Sequence, residues 1–263
     1  MVSSPSPTRW FSVVVIISHR HRYLFVELPR TGSTAIRQEL RDLYDGEPVL
    51  HKHATYQEFL KDASDDEKTY FVFSGIRNPL DDAVSQYFKL KTDHNQRMTN
   101  PMRAPKSKPL LNRIVDRHIF RYLRHTDADF PDYFMRYHVL PYDRWSSLSH
   151  DRFDYVIRFE SLVDDFAEAM RRIGIAPGRD LPLVNTTAAR ARTWRDYYPP
   201  HTHARARRVF GPFMERWGYE FPPEWNIGGT IASDRLQYAV FSFVAGLYWR
   251  YGRRLGTRGH RAR

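Results

Sequence analysis

The sequence of 263 residues contains no cysteine. Disulfide frameworks and thiolate zinc sites are therefore excluded, and the chain fits a reducing compartment such as the cytoplasm. Long apolar runs are also missing. The nearest, YAVFSFVAGLYW from Tyr238 to Trp249, falls short of the ~20 residues that span a bilayer. The start predicts no secretory signal, because its apolar run, Val13 to Ile17, gives way to the basic cluster HRHR rather than a small-residue cleavage site. No repeat recurs at solenoid periods, and the common nucleotide-binding pattern GxxxxGK[ST] is absent. Acidic residues are in the minority, 30 against 41 lysines and arginines, for a formal net charge of +11. Such a surplus favours anionic partners: nucleotides, anionic sugars, acidic lipids or nucleic acid. More than half of it sits in one place, since Arg250 to Arg263 holds six arginines and no acid.

What is present belongs to a folded protein. The hydrophobic share is 41% and the aromatic share 15%, enough for one sizeable core or a core with an elaborated cap. Val13 to Ser18 and Tyr23 to Leu28 predict a hairpin or two neighbouring strands around the turn HRHR. Ser33 to Tyr44 carries apolar residues at helical spacing, at Ile36, Leu40, Leu43 and Tyr44. Thr69 to Ile76 predicts a third strand, and Asn78-Pro79 a capped helix start whose buried stripe is Leu80, Ala83, Val84, Tyr87 and Phe88. Asp154 to Phe159 predicts a fourth strand and Ser161 to Ile173 the next helix. Helices are also predicted over Ala204 to Trp217 and Asp234 to Tyr251. Strands alternating with helices predict an α/β fold with a mostly parallel sheet covered on both faces. The polar stretch Thr92 to Lys108 reads as a mobile loop. Leu110 to Trp145, rich in Arg, His, Tyr and Phe, reads as a helical cap over the ligand edge of the sheet.

Two stretches carry chemistry. In YLFVELPRTGSTAIRQEL, Tyr23 to Leu40, a strand runs through a short loop into a helix. A helix start offers unpaired N–H groups and the positive end of the helix dipole, a site for an anion. Gly32 lets the backbone approach closely, Ser33 and Thr34 add hydroxyls, and Arg30 adds a fixed positive charge. In FVFSGIRNPLDDAVSQYFKLK, Arg77 ends another strand and Ser85 lies off the apolar stripe of the following helix. Arg77 suits bidentate phosphate binding. Two strand-end anion sites on one sheet imply a ligand with two separated phosphates.

These stretches resemble the sulfotransferases. LPRTGSTAI resembles their 5′-phosphosulfate loop, P-K-T-G-[GST]-T-[ST], and IRNPLDDAVSQY resembles their 3′-phosphate motif, R-[ND]-P-x(5)-S-x-[YF]. Both occur in the family's order and at family-like spacing. The resemblance covers roughly Val13 to Pro222. It implies a three-layer α/β fold related to nucleotide kinases, over residues 1–224 with a cap at about 92–150, followed by a helical extension at 225–263. The donor it implies is 3′-phosphoadenosine 5′-phosphosulfate (PAPS), with no metal. It gives Arg30, Thr31, Gly32, Ser33 and Thr34 to the 5′-phosphosulfate, and Arg77 and Ser85 to the 3′-phosphate. One departure stands out: Arg30 occupies the place of the family's usual lysine. Arginine keeps the charge but loses the role of proton donor to the leaving group.

Between the two motifs lies VLHKHATYQEF. His51 and His53 alternate, so an extended segment would turn them to one side. A histidine tuned near neutrality suits removal of a hydroxyl proton. The branch of the family acting on uronic-acid glycans, which includes the heparan 2-O-sulfotransferases, carries a similar His-x-His. That likeness implies His53 as base and His51 as a supporting or substrate-contacting group. A zinc reading of the pair lacks a third ligand nearby. The implied acceptor is a hydroxyl of a carbohydrate or glycolipid.

The residues leave three other classes open: a small-molecule kinase, a sulfotransferase-like protein that has lost activity, and a nucleic-acid binder. The absent GxxxxGK[ST] loop weighs against the first, and charge is the sole support for the last. The aromatic helix and arginine tail after Trp225 could lie on an anionic membrane surface, pack on the domain, or join a second subunit in a homodimer.

Overall fold

The computed structural model describes residues 15–28, 30–49, 56–100, 102, 110–143, 153–182 and 192–247. The chain divides into two compact units, residues 1–76 with 149–184 and residues 77–148 with 185–263.

The first unit is built on a five-stranded sheet. In chain order its strands are β1 (Val15–Ser18), β2 (Tyr23–Val26), β3 (Glu47–Pro48), β4 (Phe71–Ile76) and β5 (Tyr155–Arg158), arranged β3-β1-β2-β4-β5. β2, β4 and β5 pair in parallel, while β1 runs antiparallel to both β2 and β3. The expected hairpin is thus present, with Val15 opposite Val26 and Ser18 opposite Tyr23. All four residues of β1 and of β2 are buried, as near-continuous apolar strands in α/β sheets must be.

Helices α1 (Ser33–Leu43) and α6 (Leu162–Arg172) bury their apolar stripes against this sheet. Ile36, Leu40, Phe166 and Met170 join Phe25, Phe73 and Ile157 in one core. Residues on the opposite sheet face, Leu24, Val26, Val72 and Ser74, are equally buried, so both faces are covered. A charged tie closes the far end of α1. Glu39 is almost wholly buried and takes both arms of the Arg179 fork, at 2.9 and 2.8 Å.

The second unit is helical. α3 (Pro79–Lys91), α4 (Leu110–Thr126), α5 (Phe130–Tyr137), α7 (Pro200–Trp217) and α8 (Ala232–Leu247) account for most of its described residues, and a short α2 (Tyr56–Phe59) belongs to the first unit. The stretch predicted as a helical cap is helical over Leu110–Thr126 and Phe130–Tyr137. Its core is aromatic: Tyr87, Phe130, Tyr133, Phe134, Tyr198, Phe210 and Trp225. Buried phenols find carbonyls, Tyr87 on Ala128 at 2.9 Å and Tyr198 on Leu80 at 3.0 Å, which removes the cost of burying them unpaired.

Three local expectations shift. α7 begins four residues sooner than its periodicity suggests, because Pro200 fits the first helical turn. Within the predicted loop Thr92 to Lys108, residues 92–100 form a turn organised by Asp93. Its carboxylate accepts from the Met98 and Thr99 amides and the Thr99 hydroxyl. α8 begins at Ala232, two residues before the predicted start, and is described to Leu247.

Candidate functional site

The β2–α1 junction has an unusual backbone. Arg30 and Gly32 both sit in the left-handed region, with φ of 71° and 75°. For arginine that conformation costs about 1 kcal/mol or more, which the surroundings must hold in place. Gly32 caps α1 with no side-chain hydrogen bond, and its carbonyl accepts from Ala35 at 3.0 Å. Among the described residues, the amides of Gly32, Ser33 and Thr34 donate to nothing. The helix start therefore offers bare N–H groups and its positive dipole end.

Two glycines permit this geometry. A Cβ on Gly32 would lie 2.6 Å from Leu162 Cδ2, at the start of α6. A Cβ on Gly75, in β4, would lie 2.8 Å from Thr31 Oγ1 and 3.2 Å from the Thr31 carbonyl. The loop is thus seated directly on the neighbouring strand. Gly75 was not singled out from the sequence, although a lone glycine inside an apolar strand is a usual mark of close backbone approach.

The three hydroxyls of the loop have different situations. Thr31 is buried and donates to the Leu28 carbonyl at 2.9 Å, so it shapes the loop. Ser33 donates to the Glu27 carboxylate at 3.2 Å. Thr34 is exposed. Glu27 is itself buried at the end of β2 and receives Arg37 from α1 at 2.8 Å. Sequence reading missed both Glu27 and Arg37. This pair sets a neutralised carboxylate beside Ser33 at the start of α1.

The β4–α3 junction is organised on another plan. Asn78 caps α3, its side chain accepting from the Leu80 amide at 2.9 Å, and Pro79 takes the first turn. Cap and proline fulfil the sequence expectation. Arg77 follows β4 directly in the chain and is nearly buried. Its Nε and Nη2 both reach Asp81 Oδ2, at 2.8 and 2.6 Å. Asp81 therefore fixes the fork, a partner the sequence reading did not name. Ser85 lies within α3 and is buried. It is 1% exposed, and its Oγ has no hydrogen-bond partner among the described residues. A buried hydroxyl left so is costly unless something fills the role of acceptor or donor. That orphaned atom fits a phosphate-binding role.

Arg30, Thr31, Gly32, Ser33 and Thr34 belong to the first unit, and Arg77 and Ser85 to the second. His51 and His53 lie outside the described residues. Among the described residues no group of three or more histidines and acids could hold a metal ion.

A mostly parallel sheet with an uncapped, glycine-seated helix start after β2 is an arrangement that suits an anion. The chain belongs to the sulfotransferase family: the family's model matches residues 14–210, well over half of the sequence. Comparison with curated proteins and with solved structures returned no match. Membership supports sulfuryl transfer as the chemistry and explains why the loop departs from GxxxxGK[ST]. No helix among the described residues is long and apolar enough to cross a membrane.

Proposed function

We propose that this protein transfers the sulfuryl group of PAPS to a hydroxyl of a carbohydrate or glycolipid. The observation that carries the reading is the β2–α1 loop, with left-handed Arg30 and Gly32 and the unengaged amides of Gly32, Ser33 and Thr34. Those amides and Arg30 would hold the 5′-phosphosulfate. Arg77, already oriented by Asp81, and the orphaned Ser85 hydroxyl would hold the 3′-phosphate.

In the reaction the acceptor oxygen bonds to sulfur as the bond from sulfur to the bridging phosphate oxygen breaks, giving a sulfate ester and adenosine 3′,5′-bisphosphate. His53, assigned by family likeness, takes the acceptor proton, and His51 supports it. Arg30 and the loop amides stabilise charge gathering on the leaving phosphate. They are fixed dipoles and one fixed cation, aimed before the reaction begins. Arg30 cannot readily give up a proton, so its part is electrostatic. Positioning supplies the rest of the rate. The lack of cysteine fits work in the cytoplasm.

Calorimetric titration with adenosine 3′,5′-bisphosphate, beside ATP and ADP, tests the donor. Preferential binding of the bisphosphate is expected; a preference for ATP would return the loop to a kinase reading. His53→Ala should then abolish turnover of labelled PAPS while leaving bisphosphate affinity within about twofold, because a base acts on the acceptor. Loss of donor binding in that variant would count against His53 as base.

A further inference from the structure

Helix α8 has a packed side and a bare one. Asp234 and Tyr238 are buried, Arg207 of α7 approaches Asp234 at 3.6 Å, and Arg235 forks onto Glu215 of α7 at 3.1 and 2.7 Å. On the other side Leu236, Val240, Phe243, Val244 and Leu247 are 66, 55, 67, 57 and 41% exposed. Their spacing places all five on one face of the helix. No charge interrupts it, since the charged residues of α8 are Asp234 and Arg235. Scattered apolar side chains on a surface mean little, but a continuous stripe of this length marks an interaction surface.

The sequence indicates what covers it. From Arg235 to Arg263 there are seven arginines and no acidic residue, and Tyr248 and Trp249 follow the helix directly. An apolar helix face, aromatic residues that favour the water–lipid boundary and a run of arginines together suit a phospholipid surface with anionic headgroups. A second copy of this chain is the poorer partner, because it would bring an equal concentration of arginines to the same interface. We propose that α8 docks on an anionic membrane surface, its stripe entering the acyl boundary and the arginines after it meeting the headgroups. The proposal is independent of the donor assignment: it needs neither PAPS nor His53.

The test is co-sedimentation of the full chain with vesicles of phosphatidylcholine alone and of a three-to-one mixture of phosphatidylcholine and phosphatidylserine. The mixed vesicles should bind the protein at low salt, with affinity falling about tenfold or more on neutral vesicles or at about 0.5 M salt. Leu236→Ser with Phe243→Ser should weaken binding to mixed vesicles by about tenfold or more. Both side chains are exposed, so circular dichroism and bisphosphate titration should match the parent. Failure to bind mixed vesicles would overturn the proposal, as would undiminished binding of the double variant. Light scattering that finds a dimer dissolved by the same substitutions would also overturn it, by assigning the stripe to a second copy.

Discussion

The two strand-to-helix junctions solve the same problem in opposite ways. After β2, the start of α1 is left without a side-chain cap, and Gly32 turns the amides of the first turn toward whatever comes. After β4, Asn78 closes the start of α3, and the capacity for anions passes to side chains, Arg77 held by Asp81 and the buried Ser85 hydroxyl. Bare amides suit a group whose charge changes during reaction, because they are rigid and close. A clamped arginine suits a group that must be recognised and held but does not react. Under the proposed function, the contrast would separate a chemical end from an anchoring end within one repeated piece of architecture.

The sharpest way to break this comparison is Arg77→Ala. It should lower bisphosphate affinity about a hundredfold, and cost about 3 kcal/mol of stability because Asp81, nearly buried, loses its cation. Adding Asp81→Asn should restore the melting temperature without restoring binding. Recovery of both would confine Arg77 to a structural pair. Next in size is Gly75→Ala. The added Cβ would press on Thr31 from 2.8 Å, so titration should show affinity reduced about tenfold, with about 1–3 kcal/mol lost in stability. Asn78→Ala at the other junction should cost about 1 kcal/mol in denaturant unfolding yet leave affinity within about twofold, since its cap holds the helix and not the ligand.

A smaller effect is expected beside the first loop. Glu27→Gln removes a buried negative charge in contact with Ser33. Bisphosphate binding should tighten a few-fold, while the melting temperature drops by about 3 °C as Arg37 loses its ion pair. The least is expected from the Glu215–Arg235 pair, which joins α7 to α8. The hydrogen bond from Arg235 holds the Glu215 carboxyl below its ordinary value of 4.5. The contribution of that pair is complete above this value and fades as pH falls through the lowered one. Because both partners are half exposed, the loss is small. Acid melts of Glu215→Gln should differ slightly from the parent above pH 4.5 and converge with it below.

Legibility in the sequence followed range. Asn78 and Pro79 could be read as a helix start because cap and first turn are contiguous, and the hairpin of β1 and β2 because its turn is local. Gly75 meeting Thr31, or Arg179 closing on Glu39, depends on packing between segments distant in the chain, which no local period encodes. Ser85 shows the same limit. Its place off the apolar stripe predicted a hydroxyl free to hydrogen-bond, but no local period showed that tertiary packing buries nearly every side of α3's first two turns. The Arg30, Gly32 and Arg77 positions could be proposed from the sequence because their motifs are short and ordered. Their partners Glu27, Arg37 and Asp81 were not, since an acid near an anion site has no signature until the fold shows what it neutralises. The assignment of His53 rests on family likeness and lies outside the described residues.

Much of the first loop's support is made of atoms that are not there. Gly75 and Gly32 contribute no side chain, yet the places of Thr31 and of the α1 start depend on that emptiness. An alanine scan measures what is lost by trimming, so a survey of this protein by truncation would credit the arginines and the serines and overlook the two positions on which the loop is seated. Here the informative substitutions are those that add a methyl group, since Gly75 is limited by volume and Gly32 by volume and its positive φ.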